Sequence, residues 1–224
     1  MTTQSAEHYI SGLNAFYQKV FGYMFLGVGI TAILSFFIAQ SPQLVAFASN
    51  PIVFILTFVV MIGILWKASP DISPASAWTR FIAFSAISAL FITPYVLMHT
   101  AANITLAFIS ACITFAVAAL YGYTTKKDLS GMANLFIIGF IAAFVVILIN
   151  LFIGSTWLSL GISLFVIPLY LGMIAWETQA LRDMYDQKVG DSEKSLAIFG
   201  ALHLYVSFKG LFIHLLNLLG ILND

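Results

Sequence analysis

The sequence predicts an all-α polytopic membrane protein with seven transmembrane helices in one domain. Three observations predict it. Of 224 residues, 61% are hydrophobic and only 8% are Asp, Glu, Lys or Arg, against about 25% charged in soluble domains. The apolar residues fall in seven long runs, and a spanning helix needs roughly 20 such residues. The basic residues sit almost entirely on alternate loops. With so few charges a soluble fold could not cover its surface, so hydrocarbon must be the solvent around most of the chain.

The runs are read in chain order. A cytoplasmic N-terminal segment, residues 1–19, leads into a first span at about Val20–Ala39. The second covers Ile52–Trp66, the third Phe81–Met98, the fourth Ile104–Tyr121 and the fifth Leu135–Ile153. The sixth covers Trp157–Trp176 and the seventh Leu196–Leu219. Between them lie Ser41-Pro42, Asn50-Pro51, Ser69-Pro70, Ser73-Pro74, Asn103, Gly131 and Gly154, residue types that end helices and make turns. Within lipid every backbone amide must be paired internally, so the runs are helices. A β-barrel would show alternating segments of about ten residues, and these runs are continuous. The first run is too long for a signal peptide and lacks a small-residue cleavage pattern. Glu7 speaks against a mitochondrial presequence.

Charge sets the expected orientation. Lys19, Lys67, Arg80, Lys126, Lys127, Arg182, Lys188 and Lys194 share one side, and the first, third and fifth loops hold no Lys or Arg. The positive-inside rule makes that side cytoplasmic. The N-terminus is then inside and the C-terminus outside, as an odd number of spans requires. Trp66, Trp78, Trp157 and Trp176 lie at span ends, where an aromatic belt belongs. The formal net charge is zero, so nothing points to nucleic acid as a partner. The single cysteine, Cys112, forms no intramolecular disulfide. The expected partners are the lipid bilayer and another membrane protein.

The seventh span carries a stripe: Gly200, His203, Ser207, Gly210, His214 and Asn217. Steps of three and four put all six on one helix face. Small and polar residues there mark close helix packing or a polar path, so this helix should face protein rather than lipid. Gly200, Gly210, His214 and Asn217 read as packing residues. Lys209 points to roughly the opposite face from Ser207. A lysine at this depth is costly, so it must snorkel, pair with an acid or shed its charge. Glu177 is the acid at hand. If Arg182 marks the cytoplasmic edge, Glu177 sits about one turn inside it, with His203 nearer its level and Ser207 and Lys209 deeper. Contacts of Glu177 with His203 and with Lys209 both remain open. Either pair would let protonation switch a packing state.

Other chemistry is missing. There is no H-E-x-x-H, no cysteine cluster, no G-x-S-x-G and no Walker pattern, so neither a metal site nor an enzyme is expected, and no cofactor. Thr125-Lys-Lys-Asp128 reads as a capping box opening the fifth helix, with its lysines on anionic headgroups.

Three stretches carry a resemblance: Tyr121-Gly-Tyr-Thr-Thr-Lys-Lys-Asp-Leu-Ser130, Trp176-Glu-Thr-Gln179, and Gly200-Ala-Leu-His-Leu-Tyr-Val-Ser-Phe-Lys-Gly-Leu-Phe212. In these, and in span number and spacing, the chain resembles the Bax inhibitor family, also called the transmembrane Bax inhibitor motif family. The resemblance implies a seven-helix fold with the last helix in the middle. It implies a pH-sensitive calcium leak, with calcium as the transported ion, and stress or cell-death control. In bacteria it implies the inner membrane, with one branch associated with a membrane-bound protease. The family's leak is gated by two aspartates, in Tyr-Asp-Thr-Gln and Leu-Tyr-Leu-Asp-Phe-Ile-Asn. Here Glu177 keeps the first charge and Ser207 loses the second. Lys209 stands at a usually apolar position and Gly210 replaces the asparagine. The implied alternative to a leak is a non-conducting regulator that binds another membrane protein.

Overall fold

The computed structural model describes the backbone of residues 3–223, and side chains from residue 7 onward except at 151. The helices are α1 (Thr3–Ala39), α2 (Pro42–Ala48), α3 (Pro51–Trp66), α4 (Pro74–Val96) and α5 (Ala101–Thr124). A 3₁₀ turn (Ser130–Met132) leads into α6 (Ala133–Ile153), α7 (Thr156–Asp186) and α8 (Glu193–Asn223). Among the described residues, six helices are long and apolar enough to cross a membrane, and a seventh span exists only if α2 and α3, bent by 66°, count as one. The protein is thus an all-α polytopic membrane protein. The second expected span, Ile52–Trp66, is α3, and α2 before it was not expected.

Proline and its predecessors place the helix starts. At Pro42, Pro51 and Pro74 the ring occupies the first turn, where its missing N–H costs nothing. The residue before each proline caps the same helix. Asn50 Oδ1 accepts from the Ile52 amide at 2.9 Å. The Ser41 and Ser73 hydroxyls each accept from an amide three residues on, at 3.4 Å. Gly154 ends α6 at φ 65°, the left-handed conformation that favours glycine, and its amide reaches the Asn150 carbonyl at 2.7 Å.

The N-terminal segment before Val20 is itself helical and continuous with the first span, because α1 starts at Thr3 and nothing between Glu7 and Lys19 breaks a helix. One expectation fails here. Thr125 does not open a helix. It closes α5, its amide on the Tyr121 carbonyl, and its hydroxyl accepts from Lys127 N at 3.2 Å. Asp128 Oδ1 caps the 3₁₀ turn instead, accepting from Ser130 N at 2.8 Å. That bond holds the exposed Asp128 carboxyl below the usual carboxylate range. α6 begins at Ala133 without a side-chain cap.

The chain divides into two compact units, Met1–Met98 with Arg182–Tyr205, and His99–Leu181 with Val206–Asp224. In the first, α1 and α4 pack along their length around Phe16, Val20, Met24, Phe81 and Phe84, all fully buried. The first half of α8 joins them through Tyr205, whose ring stands edge-on to Phe84 at 5.8 Å between centroids. Thr31 ties this core together. Its hydroxyl donates to the Ser85 carbonyl at 2.8 Å and shares a 2.6 Å hydrogen bond with the Tyr205 hydroxyl. At the charged end, Lys19 pairs with Glu193 at 2.7 Å and the Tyr9 hydroxyl donates to Asp186 at 2.6 Å. The 187–192 loop is anchored by the Asp191 amide on the Pro70 carbonyl at 3.0 Å.

In the second unit, α7 meets α5, α6 and the rest of α8. Gly122 lets α5 approach so closely that a Cβ there would lie 2.1 Å from the Ala175 carbonyl oxygen. Ala143, Ile162 and Val166 make an α6–α7 core. Phe208 of α8 lies edge-on to Phe108 and Phe115 of α5, at 5.9 and 5.7 Å. Along α8, 72% of the apolar window is buried, against 11–39% in the other five long spans. That is the burial of a helix with protein on most sides.

Candidate functional site

The second unit carries a polar seam between α7 and α8. On α7 it consists of Ser163, Tyr170 and Glu177, each seven residues apart, so two turns separate successive members. On α8 it consists of Ser207, Gly210, His214 and Asn217. The two sets meet in antiparallel order. The Ser207 hydroxyl donates to Glu177 Oε2 at 2.7 Å. The Tyr170 ring lies on Gly210, its hydroxyl end within 2.2 Å of where a Cβ would stand. His214 faces the same ring at 6.0 Å between centroids. Ser163 Oγ takes the Asn217 amide at 2.9 Å and lies 3.4 Å from His214 Nδ1.

Glu177 is 6% exposed, and Ser207 and Ser163 are fully buried. A buried carboxyl group needs a donor close by, and Ser207 supplies one. The sequence count puts Ser207 deeper than Glu177, yet the two are in contact. α7 continues past Arg182 to Asp186, so Glu177 lies nine residues, about 14 Å, from its end, while Ser207 lies about 21 Å from the start of α8. Counting from one marker residue missed that offset. Lys209 is 8% exposed, so it does not snorkel clear of the protein. In the first unit, His203 is half-buried with its ring 4.4 Å from Phe199, one turn away on the same helix, and Gly200 is buried.

Beside Glu177, Gln179 holds the α5–α6 loop. Its Oε1 accepts from Leu129 N and its Nε2 donates to the Lys127 carbonyl, both at 2.7 Å. One side chain therefore satisfies a donor and an acceptor of the Tyr121–Ser130 motif and fixes that motif to the Trp176–Gln179 motif. Both Gln179 and Leu129 are buried, so the bond to the Leu129 amide closes without competition from water, while the bond to Lys127 lies at the exposed edge of the loop.

Sequence reasoning singled out Glu177 and the α8 stripe but not Tyr170, Ser163 or Gln179. The seven-residue spacing of Ser163, Tyr170 and Glu177 was the available signal for the first two. For Gln179 there was none, because its partners are backbone groups about fifty positions away.

With this geometry described, similarity to known proteins can be placed. The family described as Inhibitor of apoptosis-promoting Bax1 matches residues 13–224. The chain belongs to this family. Uncharacterized protein YrjE of Lactococcus lactis is 32% identical over 94% of this chain and 92% of its own. An uncharacterized protein of Deinococcus radiodurans is 30% identical over 92% and 90%. Inner membrane protein YbhL of Escherichia coli K12 is 28% identical over 94% and 93%. As a Bax inhibitor family member, the chain carries all three motifs on α5, α7 and α8, and two of them meet at Gln179.

Proposed function

We propose that this Bax inhibitor family protein is a pH-sensitive ion leak of a bacterial inner membrane, controlled where Glu177 meets Ser207. The observation that carries the reading is the buried 2.7 Å hydrogen bond from Ser207 to Glu177 Oε2. While it holds, it joins α7 to α8 at this level and occupies a carboxylate oxygen with a donor. When it breaks, that oxygen becomes available to a passing cation. Because Glu177 is ionisable, the bond is a proton-dependent element. The name of the Escherichia coli relative supports the inner membrane, and the basic loops support a cytoplasmic N-terminus and an outside C-terminus. Calcium is the ion to test first. It takes six to eight oxygen ligands, usually with carboxylates among them, and a serine in place of the second acid predicts weak selectivity for it.

A second reading is favoured by one observation, the buried Lys209 two residues from Ser207. A cation there opposes cation passage, and a protein so changed would act as a non-conducting regulator of another membrane protein, such as a membrane protease or a stress or cell-death factor. In neither reading is the protein an enzyme or dependent on a cofactor. Calcium flux into proteoliposomes across pH separates them, with wild type beside Glu177→Gln and Ser207→Asp. Wild-type flux altered by Glu177→Gln is the expected result. A silent wild type with flux appearing in Ser207→Asp would overturn the leak and leave the regulator.

A further inference from the structure

The α7–α8 seam has two polar stations with an aromatic ring between them. Toward the Thr156 end of α7, the fully buried Ser163 gathers Asn217 and His214. Toward the Asp186 end, Ser207 meets Glu177. Successive members of the α7 set stand seven residues apart, about 10.5 Å along the helix. Tyr170 sits at the middle position, clamped on three sides. Its ring is 4.7 Å from Phe140 of α6 and 6.0 Å from His214, and its outer edge rests on the bare backbone of Gly210.

We propose that Tyr170, seated on Gly210, is the plug that separates the two polar stations and keeps water and ions from running along the seam. Two physical points support it. Polar side chains on facing transmembrane helices are costly to keep and mark pathways or cavities. A side chain that fills the space between two polar stretches closes a path sterically, without a covalent or ionic lock, and the Tyr170 ring fills it against the backbone of Gly210. The seat is particular to a glycine. A Cβ at position 210 would fall 2.1 Å from Tyr170 Cζ, so any side chain there drives the ring out of its place. This inference rests on the leak reading for its purpose, but its test does not depend on conduction.

The test is access of a membrane-impermeant thiosulfonate, added from the Thr156 side, to the thiol of Ser207→Cys in a Cys112→Ala background. Closed proteins expose such sites in a minor population of roughly 0.1–10%, so unplugging should raise the labelling rate about ten-fold or more. Tyr170→Ala is expected to do so, and Tyr170→Phe, which keeps the ring, should restore most of the closure. Gly210→Ala is expected to act in the same direction as Tyr170→Ala. One substitution removes atoms and the other adds them, so a shared effect reports displacement of the ring rather than a packing defect. Phe152→Ala, at a residue 93% exposed, should leave labelling unchanged. Monodisperse Tyr170→Ala protein that labels no faster than the parent would overturn the plug, and if that variant does not fold, unchanged labelling in Gly210→Ala decides the same way. Calcium flux, read in parallel on the same Tyr170 and Gly210 variants with Ser207 kept, separates the two ideas. Faster labelling without flux in any variant keeps the plug and removes the leak. Wild-type flux with unchanged labelling removes the plug and keeps the leak.

Discussion

Two buried polar sites on α8, at Tyr205 and Ser207, lie two residues apart and are built differently. In the first unit, Tyr205 joins Thr31, whose proton goes on to the Ser85 carbonyl. All three groups are neutral, Tyr205 is 1% exposed, and aromatic rings from α4 surround it. In the second unit, Ser207 joins Glu177, and one of the two partners is ionisable. The first site has one stable arrangement. On the proposed leak reading the second has two, because gaining or losing a proton changes what the carboxyl group wants from its neighbours. The difference separates a group that holds the fold from a group suited to switch it.

Truncations test that separation, the largest effect first. Tyr205→Ala removes a fully packed ring and should cost about 3–5 kcal/mol, the usual loss for an aromatic core residue, read as reduced unfolding midpoint in detergent. Gln179→Ala strands the buried Leu129 amide of the α5–α6 loop, a loss of about 1–3 kcal/mol. It should also speed hydrogen exchange at Leu129. Ser207→Ala is expected to cost only about 0.6 kcal/mol, the mean for interhelical hydrogen bonds in membranes, while changing the pH profile of flux more than Tyr205→Phe does. A stability loss at Ser207 as large as at Tyr205 would erase the contrast. The smallest effect is at Asp128. Its carboxyl is held below its ordinary range by Ser130, so its contribution is present above the unfolded carboxylate range and is lost as pH falls through the folded value. Acidification should lower the protection factor of the Ser130 amide, its exchange rate taken relative to the intrinsic rate at each pH, and Asp128→Asn should remove that dependence.

All seven helical runs, their order and the polar face of α8 were legible because lipid imposes continuous apolar stretches on any spanning helix. α2 was not, because seven residues between two proline-led starts look like a loop until Ser41 is seen to cap them. Thr125-Lys-Lys-Asp128 has capping-box spacing, yet the Thr125 hydroxyl turns to the amide two residues on, a competition between turn and helix start that spacing alone does not resolve. The contact of Glu177 with Ser207 depends on how far α7 and α8 extend beyond their apolar cores. Charged residues such as Arg182 and Glu193 hide those extents. The seven-residue spacing marks Tyr170 only as a member of the α7 face; its seat follows from the glycine opposite.

Helix α3 has a consequence for the membrane around it. Its 16 residues span about 24 Å at 1.5 Å per residue, short of a hydrocarbon core of about 30 Å. Ile52, Ile55, Leu56 and Val59 are exposed along it, so acyl chains are its neighbours. Lipids beside α3 must shorten, or the tilted α2 must fill the missing depth. A fraction of a kcal/mol per ångström of mismatch is enough to sort proteins between membranes. This protein should therefore prefer thin bilayers, and acyl-chain length becomes a variable that acts on it from one flank only.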